Sequence, residues 1–278
     1  MDEVLFQISL PGRAAIRVEG DIVYVRNLTK RSGYTYLTAA WGDYYAVDLF
    51  QDEEHLFEEL TTITAPTATR DGLAAAYCSN CGQYLEVTVS RIFTDTEPGT
   101  YYADALEYCY TNGIINGLKA DTFGPFALLD RAQLVTMLYR LAGSPAVEGE
   151  NSFTDVADGQ FYTDAVIWAS ANGIVNGYED GTFRPGTAIN REQLVTMIHR
   201  YVAALGEDNG QRSDLAAFTD LAQLSSFARE PMQWAVANGV VNGVSSTKLG
   251  AQQTADRAQT VTILYRIITG ILEAGENG

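Results

Sequence analysis

The sequence predicts an α+β chain: a small β-rich N-terminal region, then a mainly helical part built from one unit used three times. Three observations lead there. Short landmark motifs recur at matched intervals over the last two thirds of the chain. Each recurrence carries a helix start signal followed by an apolar stripe, and the first fifty residues alternate apolar and polar side chains as half-buried strands do.

In chain order, residues 4–50 alternate in runs such as Ala15-Ile16-Arg17-Val18-Glu19 and Ile22-Val23-Tyr24-Val25-Arg26, broken at Pro11-Gly12 and Ser32-Gly33. They predict a small sheet or part of a sandwich, a domain over residues 1–60. Residues 61–92, with Ala65-Pro66-Thr67 and Tyr77-Cys78-Ser79-Asn80-Cys81-Gly82, resemble the short β-hairpin modules that often precede surface-protein repeats, and carry a lone CxxC, Cys78 and Cys81. Zinc asks for four ligands, and His55 and His199 are not spaced to complete such a set, so the two cysteines are weak metal candidates behind a local disulfide or two plain thiols. No cofactor is expected. The run Asp52-Glu53-Glu54 beside His55 reads as a solvated face, and no nucleophile, paired-carboxylate or phosphate-loop motif stands out, so no catalytic residue is assigned.

The repeats are placed at 93–151, 152–217 and 218–270, with a tail over 271–278. Phe93-Thr94-Asp95, Phe153-Thr154-Asp155 and Phe218-Thr219-Asp220 open them. A short first helix follows, with Tyr102, Leu106 and Cys109 on one face and Tyr162, Val166 and Ala169 at the matching places; an Asn-Gly then closes it by positive φ. A second Asn-Gly ends at Gly117, Gly177 and Gly243. Asp180-Gly181-Thr182-Phe183-Arg184-Pro185 marks a turn that no helix can cross. The second helix opens at Asp130-Arg131-Ala132-Gln133, Asn190-Arg191-Glu192-Gln193 and Asp256-Arg257-Ala258-Gln259, each a capping box: the first side chain accepts from the backbone and the glutamine reaches back. The arginines lie 60 and 66 residues apart, and the second Asn-Gly steps by the same amounts. An apolar stripe follows, Leu134, Met137, Leu138 and Leu141 in copy one, Leu194, Met197, Ile198 and Tyr201 in copy two, Val261, Ile263, Leu264, Ile267 and Ile268 in copy three. One unit cannot bury its stripe alone, so the three are expected to pack together. Asp95, Asp155 and Asp220 read as turn or cap residues, and Trp168 and Trp234 as core.

The Phe-x-Asp opening, the aromatic-led helix, the Gly-Thr-Phe-x-Pro turn and the arginine-bearing helix start together resemble the S-layer homology repeat, over residues 93–270. That resemblance implies a three-pronged, pseudo-threefold arrangement with the second helices in a central bundle. It implies grooves between prongs that bind secondary cell-wall polysaccharide, commonly through pyruvate ketals, with Arg131, Arg191 and Arg257 meeting the ketal carboxylate. Gly117, Gly177 and Gly243 would let the backbone approach the glycan, unless a positive φ alone explains them. Tyr102 and Tyr162 stand at the family's leading tryptophan, with Phe227 or Ala228 in copy three. The implied role is a non-catalytic anchor at the cell wall or S-layer of a Gram-positive bacterium; self-assembly or adhesion, or the anchor portion of a wall-remodelling hydrolase, are the alternatives.

The chemistry of the helix starts fits an anion. A first helical position offers free backbone N–H groups and the positive end of the macrodipole, and a guanidinium adds a fork matched to a carboxylate. Two departures bear on this. Asp130 and Asp256 place carboxylates beside the expected anion, and Ser246-Thr247-Lys248-Leu249-Gly250 replaces the turn in copy three.

Charge narrows the partners. A net charge of −17 opposes nucleic acid and anionic membranes. No run reaches the ~20 apolar residues of a membrane span, and Met1-Asp2-Glu3 is acidic where a signal peptide would be basic, so an export signal is expected upstream or removed.

Overall fold

The computed structural model describes residues 61–273 apart from 80, 81, 83 and 148, and the backbone of four strands between residues 6 and 38. The chain divides into two compact units, residues 1–98 with 117–123, and residues 99–116 with 124–278.

The first unit holds two antiparallel sheets. Strands β2 (Ala14–Glu19), β3 (Ile22–Asn27) and β4 (Thr35–Thr38) form a meander in that order. The other sheet has the order β1-β7-β6-β5, built from β1 (Phe6–Ile8), β5 (Thr61–Thr64), β6 (Gly72–Tyr77) and β7 (Tyr84–Val89). The hairpin module expected over 61–92 is therefore completed by a strand from the first ten residues, Phe6 opposite Val89. Strand β7 shows the half-buried alternation its sequence implies, Leu85, Val87 and Val89 inward with Tyr84 and Glu86 outward. Gly72 is required where β5 turns into β6, because a Cβ there would lie 2.5 Å from the carbonyl oxygen of Thr64. Cys78 is buried, and Cys81 lies outside the described residues, as does His55.

Among its described residues the second unit carries six α-helices: α1 (Ala103–Thr111), α2 (Arg131–Leu141), α3 (Thr163–Ala171), α4 (Arg191–Ala204), α5 (Arg229–Ala237) and α6 (Arg257–Ile267). Asn112, Asn172 and Asn238 end the first helices, and the glycines after them take φ of 69°, 69° and 66°. Each second helix packs on the first helix of another copy, α2 on α3, α4 on α5 and α6 on α1, while α2 and α4 also touch. Equivalent aromatic pairs mark the three interfaces: Tyr139 with Trp168 at 5.5 Å, His199 with Trp234 at 5.0 Å and Tyr265 with Tyr108 at 5.4 Å between centroids.

A ring of backbone hydrogen bonds closes the three copies on one another. Leu129 N–H donates to Ala255 O (2.9 Å), Ala255 N–H to Ile189 O (3.0 Å) and Ile189 N–H to Leu129 O (2.9 Å). All three residues are fully buried, so each bond satisfies groups that water cannot reach. This ring gives the unit its pseudo-threefold order. Around it the predicted stripes are buried, Leu134, Leu138, Leu194, Ile198, Val261 and Leu264 each with no exposed surface.

Candidate functional site

Each copy positions its turn through the Phe-Thr-Asp opener. The phenylalanine ring packs on the turn's own aromatic, Phe93 on Phe123 at 5.8 Å and Phe153 on Phe183 at 5.6 Å. The threonine N–H and hydroxyl both donate to a turn carbonyl, that of Asp121, Gly181 or Thr247. The aspartate then accepts from backbone N–H groups: Asp95 from Phe123, Asp155 from Phe183 and Arg184, Asp220 from Leu249 and Gly250. Asp220 settles below the ordinary carboxylate range; burial pushes it up, and the donated backbone hydrogen bonds outweigh that. Copy three thus keeps the clasp although its turn sequence differs.

The second Asn-Gly glycine belongs to the same clasp. A Cβ on Gly117, Gly177 or Gly243 would run into the ring of Phe93, Phe153 or Phe218 and into turn carbonyls. Internal close packing accounts for all three glycines; φ is positive only at Gly177 and Gly243.

The helix starts differ from expectation in one respect that matters. Their first N–H groups are not free. Arg131, Arg191 and Arg257 N–H donate to Thr187, Gln253 and Ala127 O, and the next residues, Ala132, Glu192 and Ala258, donate to Pro185, Ala251 and Pro125 O, in every case on a neighbouring copy. The third N–H is capped by its own Asp130, Asn190 or Asp256 at 2.7–2.9 Å. Backbone amides are therefore unavailable to a ligand, because the copies use them to hold each other. Only Asn190 with Gln193 completes both halves of the capping box; Gln133 and Gln259 leave a buried Oε1 without a partner.

What remains for an anion is the guanidinium groups. All three are buried, at 5%, 6% and 3% exposure for Arg131, Arg191 and Arg257. Arg131 donates through Nε to Phe183 O at 2.8 Å and lies over the Tyr178 and Phe183 rings, 5.0 and 4.7 Å from their centroids. Arg257 donates through Nη2 to Asn116 O at 2.6 Å, whereas Nε of Arg191 has no partner. Burial lowers the pKa of Arg131 and Arg191, which makes an added anion more welcome. Among the described residues neither of these two forms a salt bridge.

Arg131 opens onto a cavity of about 710 Å³, within the range that holds a small ligand. Its walls come from all three copies: Arg131 from the first, Tyr178, Arg184, Gln193 and Arg200 from the second, Phe227 from the third. Arg184 lies 3.9 Å above the Tyr178 ring and is paired with Asp180 at 2.8 Å. It has φ 58°, where copies one and three have Gly124 and Gly250 at 70° and 67°. Copy two thus keeps a side chain at a strained backbone position that glycine fills in the other two copies.

Tyr102 is 3% exposed and belongs to the core, and Tyr162 is half-buried, because each is the N-cap of a helix whose inner face begins there. Their neighbours Tyr101 and Phe161 are exposed, and Phe227, the equivalent in copy three, lines the cavity. An aromatic recurs at 101, 161 and 227 with the arginines' own steps, whereas the register of Tyr102 ends on Ala228. Among the described residues no group of three or more His, Cys, Asp or Glu side chains could hold a metal ion, and no helix is long and apolar enough to cross a membrane.

The S-layer homology domain model matches residues 92–135, 152–195 and 217–261. The chain is similar to an amylopullulanase of Thermoanaerobacterium thermosulfurigenes (26% identity, 70% of this chain, 10% of that protein). It is similar to a surface-layer 125 kDa protein of Lysinibacillus sphaericus (26%, 62% and 14%) and to a cellulosome-anchoring protein of Acetivibrio thermocellus (26%, 55% and 34%). The matched stretch is thus a small part of each relative. Three matches, each opening at a Phe-Thr-Asp clasp and running through an arginine-led helix start, make the C-terminal part of this chain three tandem S-layer homology domains.

Proposed function

We propose that the chain is a non-catalytic module that anchors a bacterial surface protein to the cell wall, outside the cell, by binding an anionic secondary wall polysaccharide. The observation that carries this is Arg131: a buried guanidinium facing a cavity, with Nε engaged and neither Nη group given an acceptor among the described residues. A carboxylate such as a pyruvate ketal on a sugar would meet that unsatisfied fork. Arg200 and Arg184 add positive potential, and Tyr178 and Phe227 offer apolar faces for the sugar ring. One charge-assisted hydrogen bond gives about 1.5–3 kcal/mol, so durable anchoring rests on several copies of the module meeting one repeating polymer. The named roles of the surface-layer and cellulosome-anchoring relatives support the same reading.

The test is co-sedimentation with purified wall sacculi that retain their polysaccharide. The chain is expected to pellet with them and to stay in solution when the polysaccharide has been stripped. Arg131→Gln combined with Arg200→Gln, folded by circular dichroism, is expected to lose most of that binding; full binding by this variant would refute the guanidinium mechanism.

A further inference from the structure

The three arginine-led interfaces are built from the same parts, yet their local electrostatics differ. The backbone bond from each arginine N–H to the neighbouring copy sets the guanidinium beside that copy's helix cap. Arg191 bonds to Gln253 O, just before Asp256; Arg257 bonds to Ala127 O, just before Asp130; Arg131 bonds to Thr187 O, just before Asn190. Two of the three arginines therefore act on a carboxylate at the neighbouring cap, Arg191 on Asp256 and Arg257 on Asp130, whereas the cap at the equivalent place for Arg131 is a neutral asparagine.

The charges respond accordingly. Burial pushes the Asp256 and Asp130 carboxyls up, while capping bonds and the positive charge of Arg191 and Arg257 respectively pull them back. For Arg131 the acid that acts is Asp155, already held by two backbone N–H groups, and the like charge of Arg184 opposes it. The other side chains lining the interface diverge in the same sense. Tyr178 and Arg184, which flank Arg131, have Val244 and Gly250 as their equivalents beside Arg191. Of the two acids lining the Arg131 cavity, Asp180 is paired with Arg184, which leaves Glu179 against Arg131 and Arg200.

We propose that the module is functionally monovalent: the Arg131 cavity is its anionic-glycan site, and Asn190 is the residue that selects it. In the other two interfaces the cap carboxylate already occupies the field of the arginine and repels a second anion. Asparagine and aspartate cap a helix equally well, and the Asn190 Nδ2 bond to Gln252 Oε1 (3.0 Å) is lost with aspartate and threonine alike, so comparing those two substitutions isolates the charge. The proposal rests on the anchoring reading and adds the number of sites and the residue that sets it.

Titration calorimetry of the full chain with a methyl hexopyranoside carrying a pyruvate ketal, against its ketal-free parent, tests it. The wild type is expected to bind about one ketal sugar per chain. Asn190→Asp should weaken binding about tenfold, from one negative charge added at the helix cap next to the Arg131 interface, with a melting temperature equal to that of Asn190→Thr. Asn190→Thr, a neutral cap, should bind as the wild type does. Asp256→Asn should add a second, weaker site at Arg191. Equal binding by wild type and Asn190→Asp, or two or three equivalent sites in the wild type, overturns the proposal and leaves the anchoring reading standing. A wild type that neither binds the ketal sugar nor pellets with sacculi overturns both.

Discussion

Copies two and three use the same clasp to different ends. In copy two the opener's Asp155 holds a turn whose outer face is polar and aromatic, with Tyr178, Asp180 and Arg184 interlocked by stacking and an ion pair. In copy three Asp220 holds a turn with Val244 and Gly250 at the corresponding places, and nothing charged replaces Arg184. The backbone scaffold is common while the side chains it presents are not. A repeat protein can thus keep three equivalent frames, needed for mutual packing, and equip one of them.

If the clasp is structural and the decoration functional, substitutions should sort accordingly. The largest effect is expected at Gly177. Alanine there meets a positive φ, the Phe153 ring and the Thr182 carbonyl together, and should cost more than about 3 kcal/mol in urea unfolding. Gly113→Ala has the same backbone strain with open space around it, and should cost only about 1–2 kcal/mol. Next come the clasp acids: Asp155→Ala and Asp220→Ala each orphan two turn N–H groups and should cost about 2 kcal/mol alike, the exposed setting discounting the full value. Unequal losses would mean that one turn depends on its side chains.

Arg184→Gly sharpens the comparison, since it gives copy two the residue found in copies one and three. It should raise the melting temperature by up to about 2 °C through relief of the positive-φ strain, while weakening binding to sacculi. A variant that is stabilised and binds fully would make Arg184 an accident of sequence.

The smallest effect concerns the longer connection between copies two and three. There Arg212 grips Asp208 through both Nη groups at 3.0 and 2.7 Å and reaches Glu230 at 2.8 Å, and His199 lies 3.1 Å from Asp208. Arg212 holds the Asp208 carboxyl well below its ordinary range, with burial opposing it. Because the folded pKa is depressed, this contribution is complete above about pH 4 and is lost as pH falls through the lowered value. Arg212→Gln should flatten the acid limb of the melting temperature between about pH 4 and pH 2 and leave the neutral range nearly parallel to wild type.

Much of this was legible in the linear chain. The three copies, the closing glycines at 113, 173 and 239, the cap residues and the buried stripes follow from local periodicity and capping chemistry, which depend on neighbours three or four residues away. The arginines were legible as a recurrence. The burial of Tyr102 and the exposure of Tyr101 were not, because a helix entry angle that depends on tertiary packing decides which of two adjacent aromatics faces inward.

The sequence alone determined that there are three units, where each second helix begins and which residue caps it, since those are matters of short-range hydrogen bonding. Only the tertiary structure decided that each second helix packs on another copy's first helix, that the copies consume one another's helix-start amides, and that one cavity draws its walls from all three. Those outcomes depend on bonds between residues some sixty positions apart or more, such as the ring through Leu129, Ile189 and Ala255, and no local pattern encodes which partner closes such a ring.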